Sequence, residues 1–511
     1  METINPHIQR SQQEKWLITV TVMLVAVMEV LDMTIVNVSL QDMMGTFGAT
    51  INQITWVITA YVVSSAVIMP LTGFLTRSLG QKRLLLINIS GFLVMSMMCG
   101  LSTTLPEIII FRALQGIFGA SLIPLSQFIM RDTFEKKELG MAMAIWAMGI
   151  MIAPIMGPTL GGYITENLSW HWIFFINIPV CIMAFMMTLN LIKESPIERN
   201  PIDYVGLILL ALGVGCFQTF IEEGSRDDWF SSLFILTLAL TSFFSIAFFI
   251  VRSLHSKHPI INLHIFKNRQ FVSCTLIMVV FPMSLFGMLT MQPLMVETLM
   301  GYPPDVAGLL MAPRGLASLL FMPLVPILMK RVNAKLLIAM GMSIVAFGTF
   351  FMTRWELNIS MEQMAWESLF QGMGMAFIFA PVSALVFEGL PHKEIASASG
   401  MFSFARNIGL SIGVATFSTI LTNQTQVNWN RLGENLNPYN HNLINWLAAQ
   451  HLTLSSPTTP QVLANLLSPQ ANMIAYLDVY LVSATAFVLM IPLVLFIKNG
   501  RVSGSGFGEG H

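Results

Sequence analysis

The feature that most limits how this chain can fold is its series of long apolar segments. A helix needs roughly 20 mostly apolar residues to cross a hydrocarbon core about 30 Å thick. Fourteen segments of the 511-residue sequence meet this requirement, near residues 16–39, 55–76, 83–102, 107–130, 139–163, 171–192, 203–221, 232–253, 271–296, 305–329, 335–353, 363–387, 395–421 and 473–497. The sequence therefore predicts an all-α polytopic membrane protein with fourteen transmembrane helices.

The composition supports this class and argues against others. Hydrophobic residues make up 55% of the chain and charged residues only 10%, whereas an ordinary soluble domain is about 25% charged. A net charge of −1 gives no electrostatic basis for binding nucleic acid. The first apolar segment is longer than a signal-peptide core and has no small-residue cleavage site, so we interpret it as a retained first helix.

The distribution of Lys and Arg predicts the orientation, because cytoplasmic segments of membrane proteins are enriched in these residues. With the N-terminus inside, twenty of the 26 Lys and Arg residues fall in inner segments and three in outer loops. We therefore expect both termini on the cytoplasmic side. The remaining three cations, Arg112, Arg314 and Arg406, lie inside predicted spans.

The sequence also contains an internal repeat. "MPLTGFLTRSLGQKRLLL" (69–86) is echoed by "MPLVPILMKRVNAKLLIA" (322–339), and "LQGIFGASLIPLS" (114–126) by "FQGMGMAFIFAPVS" (370–383). Two echoes in the same order and at nearly one offset predict two homologous six-helix bundles with two inserted helices between them. The expected ranges are 1–200 for the N-terminal bundle, 201–255 for the insert, 256–500 for the C-terminal bundle and 501–511 for a flexible cytoplasmic tail.

Repeated halves with a site near the midplane are the architecture of secondary transporters. The sequence has no G-x-x-x-x-G-K-[ST] phosphate-binding loop and no constellation typical of an enzyme or a metal site. We therefore expect a secondary transporter, not an enzyme, that needs neither a metal nor a cofactor.

Several motifs carry a family resemblance. They are "LDMTIVNVSL" (31–40) in the first helix, "GFLTRSLGQKR" (73–83) after the second, "FRALQGIFGA" (111–120) in the fourth, and "GIMIAPIMGPTLGG" (149–162) with "WHWIFFINIP" (170–179) from the fifth onward. "AGLLMAPRG" (307–315) and "ARNIGLSIG" (405–413) follow in the second half. The chain resembles the major facilitator superfamily, and within it the fourteen-helix drug:proton antiporters, especially the EmrB-like exporters. It departs from the pattern at Gln41, where proline is usual, and at Arg77, which replaces an acidic loop residue.

The resemblance implies the major facilitator fold and a location in the bacterial inner membrane. It implies proton-driven export of lipophilic small molecules, that is, multidrug efflux by drug:proton antiport. An exporter dedicated to one metabolite, such as a siderophore, and a non-transporting membrane scaffold are the alternatives. Intact embedded charges and an intact antiporter motif argue against the scaffold.

The resemblance also implies two partners, a periplasmic adaptor (an EmrA-like membrane fusion protein) and an outer-membrane channel (TolC-like). The long polar segment predicted at 422–472 is the candidate docking surface for the adaptor. It could instead be a self-packed cap or a disordered loop, although "LINWLAAQHL" (443–452) has the periodicity of a helix.

Two carboxylates in the first span, Glu29 and Asp32, are the candidates for proton coupling. Residues three apart share a helix face, and two carboxylates in a low-dielectric site cannot both be ionised cheaply unless a cation neutralises one. Arg112 is a third member of this predicted site, because the resemblance implies that the first and fourth helices line one cavity. The alternatives are that Asp32 is solvated at the outer interface and that Arg112 extends to that interface.

Three further sets of residues are predicted to act in transport. The expected substrate cavity comprises Asn37, Trp56, Gln115, Trp146, Met148, Arg314, Phe379 and Arg406. The antiporter-motif hinge comprises Gly149, Pro154, Gly157, Pro158, Gly161 and Gly162, whose small-xxx-small spacing equally indicates close helix packing. The cytoplasmic gating loop comprises Gly73, Arg77, Gly80, Lys82 and Arg83.

The balance of embedded charges bears on the substrate. Three embedded arginines face only two clearly embedded carboxylates. A slightly positive cavity suits lipophilic weak acids at least as well as cationic dyes. The acidic residues that could restore the balance lie near span ends and are Glu222, Glu297, Glu367 and Glu388.

Overall fold

The computed structural model describes residues 11–197, 201, 203–227, 229–256, 259–303, 306 and 309–497, and every regular element among them is a helix. Thirteen helices are long and apolar enough to cross a membrane, and two shorter helices that meet at 45° make up one more. We number these spans 1 to 14: Gln12–Phe47, Ile51–Leu79, Gln81–Gly100, Leu105–Thr133, Glu138–Asn167, Trp172–Leu191, Tyr204–Gly224, Leu233–His255, Arg269–Thr298, the pair Ala312–Phe321 and Leu324–Arg331, Ala334–Met352, Met361–Leu385, His392–Gly433 and Thr459–Phe496. The predicted all-α membrane class is confirmed, whereas the tail at 501–511 lies outside the described residues.

Short interruptions divide several spans. The pieces are Ile51–Ile54, Trp56–Ile68, the 3-10 turn Met69–Leu71 and Thr72–Leu79 in span 2, Leu105–Gly119 and Leu122–Thr133 in span 4, Trp172–Phe175 and Asn177–Leu191 in span 6, and Thr459–Met490 and the 3-10 helix Ile491–Phe496 in span 14. The helix of span 5 begins at Lys136. Outside the spans lie the 3-10 turns Trp229–Ser231 and Leu263–Lys267 and the helix His441–Ala449.

A proline explains the break in span 4, because Pro124 has no backbone N–H and its ring crowds the carbonyl of Ala120.

The two halves pack their helices in one pattern. Span 1 packs against spans 5 and 6, span 2 against span 4, and span 3 against spans 4 and 6; spans 9, 10 and 11 repeat these relations with spans 12 to 14. Lys82 donates to the Leu189 carbonyl at 2.6 Å, and its counterpart Lys335 donates to the Leu495 carbonyl at 3.4 Å. The sequence repeat therefore corresponds to a repeat of helix packing. Inserted spans 7 and 8 pack on each other, and span 7 also contacts spans 2 and 13.

At one end of the spans the two halves touch. Arg77 of span 2 donates from Nη1 to Ser397 Oγ of span 13 at 2.7 Å, and Asp132 of span 4 pairs with His392 at 3.1 Å. Gly73 lies so close to Ser397 that a Cβ at position 73 would overlap its backbone. This is the end that the charge distribution predicts to be cytoplasmic, and the halves are closed together there.

Toward the opposite end, span 1 presents exposed polar side chains. Asn37 and Gln41 are four residues apart on one helix face, and both are exposed. An amide that faced hydrocarbon would forfeit its hydrogen bonds, which is costly. We infer that this face of span 1 meets water or other polar groups, not hydrocarbon.

The segment 422–472, which the sequence predicts to lie outside the membrane, is largely helical and is therefore not a disordered loop. Span 13 runs from His392 to Gly433, and span 14 starts at Thr459. At 1.5 Å per residue the 42-residue helix of span 13 is about 63 Å long, roughly twice the hydrocarbon thickness. Thr425 Oγ1 donates to Asn472 Oδ1 at 3.3 Å, which joins the two helices as a projecting hairpin. The polar side chains of this segment hid its helices from a hydropathy criterion, whereas the helix expected at 443–452 is confirmed as His441–Ala449.

Candidate functional site

Asp32 of span 1 and Arg112 of span 4 form an ion pair inside the first bundle. Arg112 Nη1 lies 2.6 Å from Asp32 Oδ2, and the two side chains are 1% and 0% exposed, respectively. The guanidinium also lies 4.2 Å from the centroid of the Tyr61 ring and donates from Nε to the Val57 carbonyl at 3.2 Å. This burial excludes both alternatives, a solvated Asp32 and an Arg112 that extends to the interface.

Amide side chains complete the surroundings of Asp32. Gln115 Nε2 and Asn177 Nδ2 donate to Asp32 Oδ1 at 3.0 and 2.8 Å. Gln115 also accepts from Arg112 Nη1 at 2.8 Å, and Asn177 donates to Ser96 Oγ at 3.0 Å. Both oxygens of Asp32 therefore have partners, one of them a cation, and the network ties spans 1, 3, 4 and 6 together.

Glu29, three residues earlier in span 1, has a different environment. It is fully buried, its Oε2 accepts from the Ile123 backbone N–H at 3.1 Å, and its Oε1 has no hydrogen-bond partner among the described residues. The Ile123 N–H is available because span 4 stops at Gly119 and restarts at Leu122, so the first amides of the new helix have no acceptor within it. A helix N-terminus favours negative charge. The break in span 4 thus creates the contact that holds Glu29.

Glu29 also interacts with a cation of the other half. Arg406 of span 13 lies near enough to interact electrostatically with Glu29, and its side chain is half-buried. Asp32 therefore belongs to the interior of the first bundle, whereas Glu29 lies toward the boundary between the halves. The three residues predicted as one proton site occupy two environments.

The residues predicted to line the substrate cavity fall into two groups. Exposed or half-buried are Asn37, Trp56, Met148 and Arg406. Buried are Gln115, Trp146, Arg314 and Phe379. Gln115 belongs to the Asp32 network, and Trp146 donates from Nε1 to Ser126 Oγ at 2.9 Å, so both have structural partners. In this conformation the first group keeps accessible surface, whereas the second group is enclosed by protein; their role in a substrate cavity stays a prediction.

The glycines of the predicted hinge face span 1 of the same bundle. A Cβ at Gly157 would overlap the Thr34 side chain, one at Gly161 would crowd Ile35, and one at Gly149 would overlap Met23. The helix continues from Lys136 to Asn167 through Pro154 and Pro158. Close packing of spans 1 and 5 is therefore one role of these glycines, and their role as a hinge stays a prediction.

Gly157→Ala tests this packing. We expect the added methyl to push spans 1 and 5 apart and to lower the free energy of unfolding by about 1–3 kcal/mol. The measurement is the thermal unfolding midpoint of purified protein in detergent. Gly162→Ala is the matched control, since a Cβ there meets only Val38 at 3.8 Å; equal midpoints for the two variants would contradict the account.

The predicted gating loop joins three elements. Gly80 has φ +85°, a conformation that favours glycine, and Lys82 caps the end of span 6 as described. Arg83 pairs with Glu194 at 3.4 Å. Arg77, which stands where the family has an acidic residue, contacts span 13 through Ser397. The loop therefore links span 2 to span 6 and, across the boundary, to the second half.

Several polar partners of the buried arginines and of Asp32 are not among the residues predicted from the sequence. Asn177, Ser96 and Gln292 are buried in otherwise apolar spans, and Gln292 accepts from Arg314 Nη2 at 2.6 Å. A polar residue inside an apolar span is itself a signal, because its hydrogen bonds must be satisfied within the protein. The sequence does not reveal which partner each residue takes.

Comparisons with known proteins agree with the fold. The Major Facilitator Superfamily model matches residues 22–414. The chain is 34% identical over 494 residues to the fatty acid resistance protein FarB of Neisseria gonorrhoeae, covering 96% of this chain and 97% of that protein. It is 33% identical over 502 residues to the multidrug export protein EmrB of Escherichia coli K12, covering 97% and 98%. Among solved structures, the proton:xylose symporter XylE matches with a TM-score of 0.60 at 14% identity, covering 94% of this chain and 97% of XylE.

Proposed function

Because the chain belongs to the Major Facilitator Superfamily of membrane transporters, we propose that it exports lipophilic small molecules in exchange for protons. The observation that carries the proposal is Glu29, a fully buried carboxylate near the boundary of the halves whose Oε1 has no hydrogen-bond partner among the residues that the structure describes. Buried ionisable groups in transporters mark ion and proton pathways. The names of the relatives FarB and EmrB, which concern fatty acid resistance and multidrug export, support a lipophilic cargo.

In this proposal the carboxylates of Glu29 and Asp32 have different roles. Asp32 already has a cation and two amide donors, so protonating it would leave Arg112 without a counter-charge. Glu29 has one backbone donor and an oxygen free to carry a proton. We assign the exchangeable proton to Glu29 and the positioning of spans 1, 3, 4 and 6 to the Asp32–Arg112 pair.

Protonation of Glu29 would couple to the arrangement of the halves. Ionised Glu29 attracts Arg406 of span 13 across the boundary, and a proton on Glu29 removes that attraction. Each proton that moves inward supplies about 2.3 kcal/mol per 100 mV. In this mechanism the substrate is released at the end opposite Arg77 before the proton binds, and the halves then separate at the Arg77 end.

The test is transport in everted membrane vesicles that contain the full chain. We expect proton-pumping vesicles to accumulate several unrelated lipophilic compounds and to lose them when a protonophore is added. Accumulation of a single compound would favour the dedicated exporter instead. No energy-dependent accumulation of any compound would overturn the proposal.

We further propose that the chain is the inner-membrane part of a tripartite system whose adaptor binds the projecting hairpin. The hairpin exposes apolar side chains beyond the membrane, including Tyr439 at 90% and Leu466 at 52% exposure. Exposed apolar patches outside lipid mark interaction sites.

Replacing residues 434–458 with a short Gly-Ser linker tests the docking proposal. We expect cells to lose resistance to lipophilic compounds, because export across the outer membrane needs the adaptor, while uptake into everted vesicles stays near wild type. Resistance is measured in growing cells, and uptake is measured in everted vesicles prepared from the same cells. Resistance equal to wild type would contradict docking at the hairpin tip.

A further inference from the structure

A cavity of about 450 Å³ lies at the end of the molecule where the two halves touch. Its walls come mainly from the C-terminal ends of spans 2 and 8, the segment that follows span 8, and the N-terminal end of span 13. Sites for small ligands typically have volumes of roughly 300–1,000 Å³. This cavity therefore has the size of a binding site, and it is shared by the first half, the insert and the second half.

Hydrogen bonds between elements fix the shape of this cavity. Ser253 Oγ of span 8 donates to the Ile261 carbonyl at 2.8 Å, which folds the following segment back against that helix. Asn262 Nδ2 of the same segment donates to Glu394 Oε1 of span 13 at 3.0 Å. The wall formed by this segment is therefore held on two sides, by the insert and by the second half.

The cavity carries more positive than negative charge. Among the described residues that line it, Arg77 and Lys393 are cations and Glu394 is the single carboxylate. Glu394 already accepts the hydrogen bond from Asn262, and four serines add hydroxyl groups to the lining. Arg77 replaces an acidic residue of the family pattern, so the positive charge is a departure from that pattern. Cations together with hydroxyl donors suit a phosphate group.

A second cavity, of about 470 Å³, lies between spans 7 and 8 and meets the first at Ser256, which lines both. Exposed apolar side chains line it, among them Val205 of span 7 and Phe248 and Val251 of span 8. Phe248 precedes His255, the last residue of span 8, by seven residues, or about 10 Å along the helix. The second cavity is thus an apolar groove that extends from the level of the cationic cavity into the hydrocarbon layer.

We propose that the cationic cavity binds the phosphate of an anionic phospholipid and that the groove between spans 7 and 8 holds one of its acyl chains. The lipid comes from the leaflet at the Arg77 end, where basic pockets between helices suit lipid head groups. A soluble phosphate ester offers the same charge, but the adjoining apolar groove favours a lipid. Because the cavity has walls in spans 2 and 13, a bound head group joins the two halves and stabilises their closure at this end. The inference is independent of the cargo and of Glu29.

The test is native mass spectrometry of the delipidated full chain in detergent, titrated with dioctanoylphosphatidylglycerol, an anionic phospholipid. We expect saturable binding of a first lipid, and we expect Lys393→Gln to weaken it about fivefold, as loss of one cation at a lipid surface does. Lys393 is exposed, so its replacement should leave the fold intact. Lys330→Gln is the matched control and should bind like wild type, because Lys330 is exposed and holds the position of Arg77 in the second copy of the repeat.

Two further ligands and one further variant test the parts of the proposal separately. Dioctanoylphosphatidylcholine has the same chains without net charge, and glycerol 3-phosphate has the phosphate without chains; we expect both to bind more weakly than the anionic lipid. Val251→Trp places a larger side chain in the groove and should weaken binding of the anionic lipid. Equal binding of the two lipids, or unchanged binding in Lys393→Gln, would overturn the cationic site. Glycerol 3-phosphate that binds as tightly as the anionic lipid, or unchanged lipid binding in Val251→Trp, would overturn the lipid as its occupant.

Discussion

Asp32→Asn is expected to destabilise the protein by about 3–5 kcal/mol, since removing one partner of a buried ion pair leaves an uncompensated charge. Arg112 would remain 1% exposed and would lose the carboxylate that lies 2.6 Å from its Nη1. The side-chain amides of Gln115 and Asn177 donate to Asp32. In the variant their acceptor would be an asparagine, whose side chain has one accepting oxygen where aspartate has two. The measurement is the thermal unfolding midpoint and the yield of monodisperse protein in detergent.

Two variants make this result interpretable. Asp42→Asn removes an exposed carboxylate from the same helix and should change stability little. Combining Asp32→Asn with Arg112→Met removes both charges and should restore much of the lost stability. If Asp32→Asn melts at the wild-type temperature, the ion pair does not organise the first bundle.

Glu29→Gln is expected to abolish proton-driven accumulation while leaving the fold intact. Glutamine keeps the shape and can still accept from the Ile123 N–H, but it cannot carry a proton. For a neutral substrate exchanged for one proton, a potential of 100 mV corresponds to about 2.3 kcal/mol, or roughly a 50-fold concentration ratio. The variant should reach a ratio near one in vesicles where the wild type approaches that value.

The unfolding midpoint of Glu29→Gln provides the control. It should stay close to wild type, because the substitution removes a buried carboxyl whose Oε1 has no hydrogen-bond partner in the described part of the chain. Substrate exchange without a gradient should also persist. A variant that still concentrates substrate would assign the coupling proton to another group.

The sequence predicted the parts of this molecule that depend on local pattern. Segment hydropathy predicted the fourteen spans, and the sequence repeat that aligns Lys82 with Lys335 predicted two matching halves, in which both lysines donate to a carbonyl near the end of the last helix of their half. The expectation that Arg112 could reach span 1 agrees with its distance to Asp32. These features follow from helix periodicity and from the cost of isolated charge in lipid.

Features that depend on tertiary contacts could not be predicted from the sequence. The different environments of Glu29 and Asp32 arise from the break before Leu122 and from Asn177, which is 145 positions away from Asp32. The projecting hairpin was hidden because helices outside lipid do not need apolar sequence. The hinge glycines could not be assigned to span 1 or to the other half, since either neighbour fits a small-xxx-small spacing.

The central claim is that this chain exchanges substrate for protons through Glu29. The most direct measurement uses proteoliposomes that contain a trapped pH-sensitive dye, with substrate added to wild type and to Glu29→Gln under no imposed gradient. The account predicts proton movement opposite to substrate in the wild type and none in the variant. Substrate movement in the wild type without any proton movement, or unchanged proton movement in Glu29→Gln, would contradict it.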